Sequence, residues 1–397
     1  MTFENWISYR YLIASKGRFL TFLNIISITG VAIGVMALIV VTGVMTGFGN
    51  NLREKIIGTT PHIVVEKEMG IKDFEITLGQ LKTLKEVVGI SPFIQGNIFL
   101  EDNDRAMGLV IRGIVPKSEA QVTKVKEYLI KGNLRDLSKD GIVIGSELAR
   151  YYGYSIGDTV TLISPSSGLA GESWRYQLKI VGIFTSGMVD YDTNLVLVDL
   201  AKAQGIFNLP SNKVTGIGMK LANPYQATEM KENIFKLLGY GFLVKTWIDV
   251  NRNLFEALFL EKWGLFIILT LMVLIASFNI ISTLIVTVTS KVHDIGILKA
   301  IGVTQGSIRR IFTRQGIFIG ALGTIWGLIG GVGLSYILRT YVRVPQEIYS
   351  IDHVPIDLQL SDILIIIASA LVISFSASIY PAMKAASLQP VDALRYE

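Results

Sequence analysis

The sequence predicts an α-helical membrane protein with four spans and a large α/β domain inserted between the first and the second. Half of the 397 residues are apolar and only 17% are charged, far from the balance of a soluble chain of this length. Four uncharged stretches, 19–52, 263–290, 315–338 and 363–383, are each long enough to cross a hydrocarbon core of about 30 Å. Between the first two lies a stretch, 53–253, with ordinary globular composition and the size of a domain.

Residues 1–18 read as an elbow helix, because Trp6, Tyr9, Arg10 and Tyr11 are the mix found in a helix lying among lipid headgroups. The first span, 19–49, is far longer than the apolar core of a secretory signal and is followed by no small-residue cleavage site, so it is expected to stay in the mature chain. It carries two small-xxx-small pairs, Gly30 with Gly34 and Gly43 with Gly47. Such pairs let another helix approach closely, although glycine is common in membrane helices anyway.

In the inserted domain, 50–253, alternation predicts strands at 61–67, 93–100 and 106–114 and a helix at 77–87. Later, 213–221, 224–238 and 242–247 repeat strand, helix, strand. The two groups read as one split α/β layer, with 116–210 inserted as a second, mainly β subdomain whose strands are 141–148, 158–163, 176–184 and 194–198. With no cysteine in the chain, this domain must hold together by an ordinary core. The loop 164–175 is longer than a hairpin needs and carries Pro165, Leu169, Trp174 and Arg175. It is either a docking loop for another protein or a surface loop whose tryptophan folds back onto the core.

Leu254, Phe255, Leu258 and Phe259 form an amphipathic stalk that continues into the second span, stalk and span together covering 254–289. The segment 290–314 has Ile295, Ile297, Leu298 and Ile301 on an apolar face, with Lys291, Asp294, Lys299, Arg309, Arg310 and Arg314 supplying charge. It is either a helix and turn through which something outside the membrane pushes on the spans, or a plain connection. In the third span, 315–338, Gly316, Gly320, Gly323, Gly327 and Gly331 recur at helical spacing, a smooth face expected to pack against protein. A loop, 339–362, the fourth span, 363–383, and a tail, 384–397, complete the chain.

Lysine and arginine concentrate in the N-terminal segment, the 290–314 segment and the tail, whereas the 339–362 loop is acidic. That asymmetry places both termini inside and the large domain outside, and it accounts for the net charge of +5 without a nucleic-acid partner. His62, His293 and His353 lie in separate regions and share no metal-ligand spacing. The chain contains no G-x-S-x-G, H-E-x-x-H or Walker A pattern, so no catalytic, metal or cofactor residue is assigned. The spans lack ionisable residues, which argues against ion-coupled transport, and four helices are few to enclose a path. A dimer driven from elsewhere fits better.

Residues 22–34 and 44–48 and the domain borders 52–58 and 253–257 with Trp247 closely resemble the lipoprotein-releasing system permeases, the LolC/LolE family of MacB-like ABC transporter subunits. The segment from Asp294 to Gly302 and the tail from Pro381 through Pro390 to Arg395 are shared with MacB-like permeases more broadly, and the resemblance runs over essentially the whole chain. It implies a type VII ABC architecture: two permeases, as a homodimer or heterodimer, and a dimer of separate cytoplasmic ATPases that carry the ATP and magnesium. It also implies a periplasmic domain of porter (50–115 and 211–250) and sabre (116–210) subdomains. Since this chain begins at the elbow helix, its ATPase is expected on another polypeptide.

The resemblance makes His293, Asp294, Ile295, Gly296, Ile297, Leu298, Lys299 and Ala300 the coupling contact with that ATPase, and Leu298→Asp is then expected to weaken it. It makes 164–175 the counterpart of the hook that recruits a periplasmic lipoprotein carrier. The implied function is extraction of lipoproteins from the outer leaflet of the inner membrane and delivery to that carrier, with lipid passing between 30–47 and 263–290. Exposed acyl chain costs about 0.8 kcal/mol per methylene, so the lipid must move between apolar shelters. The alternative is a MacB-like permease for antibiotic or peptide efflux, or for mechanical signalling to the cell envelope.

Overall fold

The computed structural model describes residues 3–13, 18–102, 105–137, 140–164, 174–342 and 353–389. Two compact units are present, one of Asn50–Glu256 and one built from the flanking segments.

In chain order, α1 (Phe3–Ile13) and α2 (Arg18–Thr59) are followed by β1 (Ile63–Lys72), α3 (Phe74–Leu81), β2 (Val87–Asp102), β3 (Arg105–Ile114) and α4 (Pro116–Val122). Then come β4 (Leu129–Gly132), β5 (Gly141–Gly145), α5 (Ser146–Tyr152), β6 (Thr159–Ser164), β7 (Trp174–Phe184), α6 (Val189–Asn194), β8 (Leu195–Asp199) and α7 (Leu200–Ile206). The inserted unit closes with β9 (Lys213–Leu221), α8 (Ala227–Leu238), β10 (Leu243–Thr246) and α9 (Trp247–Val250). Four helices end the described chain: α10 (Arg252–Ser290), α11 (Val292–Ala300), α12 (Gln305–Tyr341) and α13 (Leu360–Ser387).

The ten strands of the described residues join one mixed sheet in the order β10-β1-β9-β2-β3-β8-β5-β7-β4, with β6 bridging β2 and β7. The strands expected to form one split α/β layer, β1 to β3 with β9 and β10, lie side by side in it, and the strands of the 116–210 insertion continue the same sheet. Strand β3 pairs antiparallel with β2 on one edge and parallel with β8 on the other, which joins the split layer to the strands of the insertion. The 16-residue β2 is longer than the predicted strand because Gly89, Pro92 and Gly96 mask its alternation, although Pro92 still takes its place opposite Ile217. The helix predicted at 77–87 is α3, which ends at Leu81. The strand predicted at 141–148 stops at Gly145, where the chain turns into α5.

Paired residues share a face of the sheet. One face carries Ile63, Val65, Ile94, Ile111, Ile142, Val196 and Ile217, all buried in the main core beneath α3, α5, α7 and α8. The other carries Val64, Phe93, Arg112 and Leu197 and is covered only in part, by a smaller cluster that includes Ile114, Val125, Val143 and Phe184.

In the other unit, α2, α10, α12 and α13 are long and apolar enough to cross a membrane. The glycine stripe of α12 is packed against protein, as expected. A Cβ at Gly316 or Gly320 would lie 2.5 Å from Ser378 Cβ or 2.1 Å from Ser374 Oγ of α13. At Gly323 and Gly327 it would meet Val31 and Val35 of α2 at 2.7 Å, so one helix face seats two neighbours. Helix α10 is buried only near its end, at Ile280, Thr283, Leu284, Thr287 and Val288. Its earlier residues Phe259, Trp263, Phe266, Leu271 and Phe278 are exposed.

Candidate functional site

The segment between α10 and α12 folds as a helix closed by a tight turn. Lys291 and Asp294 pair at 2.8 Å at the start of α11. At its end Gly302 adopts a left-handed conformation, φ 99°. Its N–H donates to the carbonyl of Lys299 at 3.0 Å, and the N–H of Val303 donates to that of Leu298 at 3.0 Å. This is the paired closure that glycine after a helix end permits, and a Cβ would strain it. Thr304 then accepts from the Ser307 N–H and starts α12.

This geometry divides the predicted coupling residues into two groups. Ile295 is fully buried with Ile7, Val288, Ile308, Ile311, Phe312, Ala382 and Ala385, and Leu298 packs half-buried against them. Gly296 is buried too. Lys299 Nζ donates to the carbonyls of Ala386, at 2.6 Å, and Leu388. It thus caps the end of α13 where the helix dipole is negative; burial holds its pKa below the usual lysine range. His293, Ile297 and Ala300 are exposed on the opposite side, and Ile301 beyond them is 78% exposed. Leu298 packs against the chain's own cluster with part of its side chain, and the fully outward apolar positions are Ile297 and Ile301. Asp294 lies half-buried between the two sides.

Sequence reasoning missed the role of α1. Glu4 faces Arg310 at 3.5 Å and Arg314 at 3.4 Å, and Ser8 Oγ donates to the carbonyl of Ile311 at 2.8 Å. Tyr11 stands 5.2 Å below the Lys291 ammonium, and burial together with Asp294 pushes its hydroxyl up to about 12. The only signal in the sequence is an acid at position 4 and basic residues three hundred positions later, which no local pattern connects.

The four glycines of the first span also divide. Asn279 of α10 crowds Gly30, where a Cβ would sit 2.6 Å from its Nδ2, while nothing lies within 4 Å of Gly34. Gly43 and Gly47 are covered by the segment before α13. A Cβ would meet Leu358 at 2.5 Å or the Pro355 carbonyl at 2.2 Å, and the Asp357 N–H donates to the Gly43 carbonyl at 3.0 Å. This second pair therefore seats an irregular stretch of the same chain, not a helix.

Pro165 and Leu169 lie outside the described residues. Trp174 opens β7 and is 57% exposed, so it does not fold back onto the core. Arg175 forks onto Glu101 of β2 at 2.8 and 3.0 Å, which fixes the base of the loop and holds the Glu101 carboxyl below the usual range. Among the described residues no three His, Asp or Glu side chains cluster as a metal site.

Two family descriptions match the chain: FtsX-like permease C-terminal over residues 266–390, and MacB-like periplasmic core domain over 24–237. They define the class as a membrane permease with a MacB-like domain between its first two spans. A lipoprotein-releasing system transmembrane protein LolC of Neisseria meningitidis serogroup B is 33% identical over 99% of both chains. The LolC of Xylella fastidiosa is 31% identical, and a LolE of Haemophilus influenzae 27%, each over 98% of both chains. The chain belongs to the LolC/LolE family of lipoprotein-releasing system transmembrane proteins, ABC permeases of the FtsX group.

Proposed function

We propose that this chain is the non-catalytic permease subunit of an ABC transporter that lifts lipoproteins out of the outer leaflet of the inner membrane and passes them to a periplasmic carrier. Both termini and α11 face the cytoplasm, and the inserted unit is periplasmic, with a porter (50–115 and 211–250) and a sabre (116–210). A dimer of separate ATPases binds ATP and magnesium. A second permease, alike or different, covers the exposed length of α10.

The observation that best supports the reading is the two-sided α11. Its inner side is tied to α1, α12 and α13 through Ile295, Leu298 and Lys299, while His293, Ile297 and Ala300 face outward. A push on the outer face is carried by packed side chains and a helix cap rather than absorbed by a loose loop. The 164–175 loop, with Trp174 exposed beside its anchored base, is the candidate carrier contact. Lipid access lies along α2 and α10, where Gly34 is open and Phe278 is exposed.

The test is release of a lipoprotein from inner-membrane vesicles that contain the assembled complex, with ATP and purified carrier. Transfer to the carrier that requires ATP and fails with Ile297→Asp supports the reading. ATP-dependent export of a small drug without lipoprotein transfer sinks it.

A further inference from the structure

The partly covered face of the sheet holds a buried ion pair with unspent hydrogen-bonding capacity. Arg112 on β3 meets Glu119 on α4 at 3.3 Å, with side chains 12% and 4% exposed. The guanidinium lies over the Phe93 ring at 4.1 Å, and its Nη1 donates to Gln95 Oε1 at 3.2 Å. Yet Arg112 Nε and Nη2 and Glu119 Oε2 are buried without a hydrogen-bond partner. Buried donors and acceptors left unmade are costly, so three on one adjacent pair mark a place where another molecule completes them.

Arg112 and Glu119 belong to the lining of a cavity of about 540 Å³, within the usual size of ligand pockets. The cavity runs across the sheet from Lys245 on β10 past Val64 and Gln95 to Leu197 on β8. Five strand intervals of ~4.8 Å give a groove of roughly 24 Å, the length of about seven extended residues. Gly216 and Gly218 of β9 carry no side chain where it crosses, and a Cβ at Gly218 would sit 2.8 Å from Pro61.

We infer that this groove binds an extended, neutral or basic segment of the passenger polypeptide, an inference that rests on the lipoprotein-release reading. A peptide unit offers what the pair lacks, a carbonyl to accept from the guanidinium and an N–H to donate to the carboxylate, once the Arg112 and Glu119 side chains turn toward the groove. Phosphate is disfavoured because the lining sets Glu66, Glu119, Asp190 and Asp249 against Arg112 and Lys245, a net negative wall. An acyl chain is disfavoured because it would leave the ion pair unsatisfied. A sugar ring finds the near face of Phe93 already taken by the guanidinium.

The test uses the assembled complex with a photoreactive residue at Asn194, which lines the groove, and a purified triacylated lipoprotein labelled on its protein part. The expected result is a photoadduct on the passenger polypeptide, reduced at least fivefold in the paired variant Arg112→Gln with Glu119→Gln. Val250→Trp, at an exposed lining position, should reduce it similarly without touching the ion pair. Adducts on phospholipid or glycan alone, no adduct, or a passenger adduct unchanged in both variants overturns the inference. Release to the carrier is scored separately, so a complex that releases lipoprotein without an adduct overturns the groove alone.

Discussion

Lys299 in α11 donates to the carbonyl of Ala386, 2.6 Å away, at the last turn of α13. A charged side chain from a nine-residue helix thereby closes the end of a span that follows it by sixty residues. The bond makes α11 part of the bundle rather than a linker.

Lys299→Met keeps an unbranched, flexible side chain one atom shorter and removes its donors. It should cost about 1–2 kcal/mol at the end of α13, and it should lower coupling of ATP hydrolysis to lipoprotein release while the complex still assembles. ATPase rate and release measured on one preparation check this; unchanged coupling would show the cap to be dispensable.

Ile297→Asp and Leu298→Asp should separate. The first places a charge on the exposed side of α11 and should weaken ATPase copurification at least tenfold with little loss of thermal stability. The second buries a carboxylate beside Ile295 and Phe312 and should destabilise the fold by about 2–4 kcal/mol. Equal melting temperatures for the two variants would refute the two-sided assignment.

Gly34→Leu and Gly320→Leu make a second contrast. Gly320 would drive a side chain into Ser374, where overpacking costs about 1–3 kcal/mol or more. Gly34 has open space, so stability of the isolated chain should hold while lipoprotein release falls if lipid passes along this face. Thermal unfolding and release assays on each variant read the two effects apart.

His62 gives the inserted unit a pH dependence. Its Nδ1 accepts the N–H of Leu221 at 3.1 Å, and burial, aided by Lys220, lowers its pKa to about 4. The unfolded chain binds a proton near the ordinary value of about 6.5. Stability is therefore complete above that pH, falls as pH drops toward 4 and levels off below, a loss of up to about 3 kcal/mol. His62→Gln retains an acceptor and should flatten the profile. Hydrogen exchange of the β9 amides in the intact protein checks it; equal slopes in both forms would remove His62 from the account.

The spans, the inserted domain and the helix at α11 were legible because each rests on local signals: uncharged length, alternation, and an apolar face set among charged residues between Lys291 and Arg314. The glycine stripe of α12 was legible for the same reason, since a helical repeat of residues without side chains admits close neighbours. The Glu4 pairing with Arg310 and Arg314, the covering of Gly43 and Gly47 by residues 355–358, and the fusion of all strands through β3 and β8 were not. Each joins positions far apart in the chain, and nothing in either partner's own neighbourhood specifies the other.

By itself, then, the sequence determined which segments are apolar enough to span a membrane, that a charged segment with an apolar face separates the second span from the third, and which family the chain resembles. Only the tertiary structure decided which side of each element is free. Ile297 and Leu298 are equally apolar neighbours, separated by one helical step of about 100°. What makes one a surface and the other part of a core is the arrival of α1, α12 and α13 on one side of α11. The Arg112–Glu119 groove follows the same rule, because its unpaired atoms come from a strand and a helix that meet only in the folded sheet.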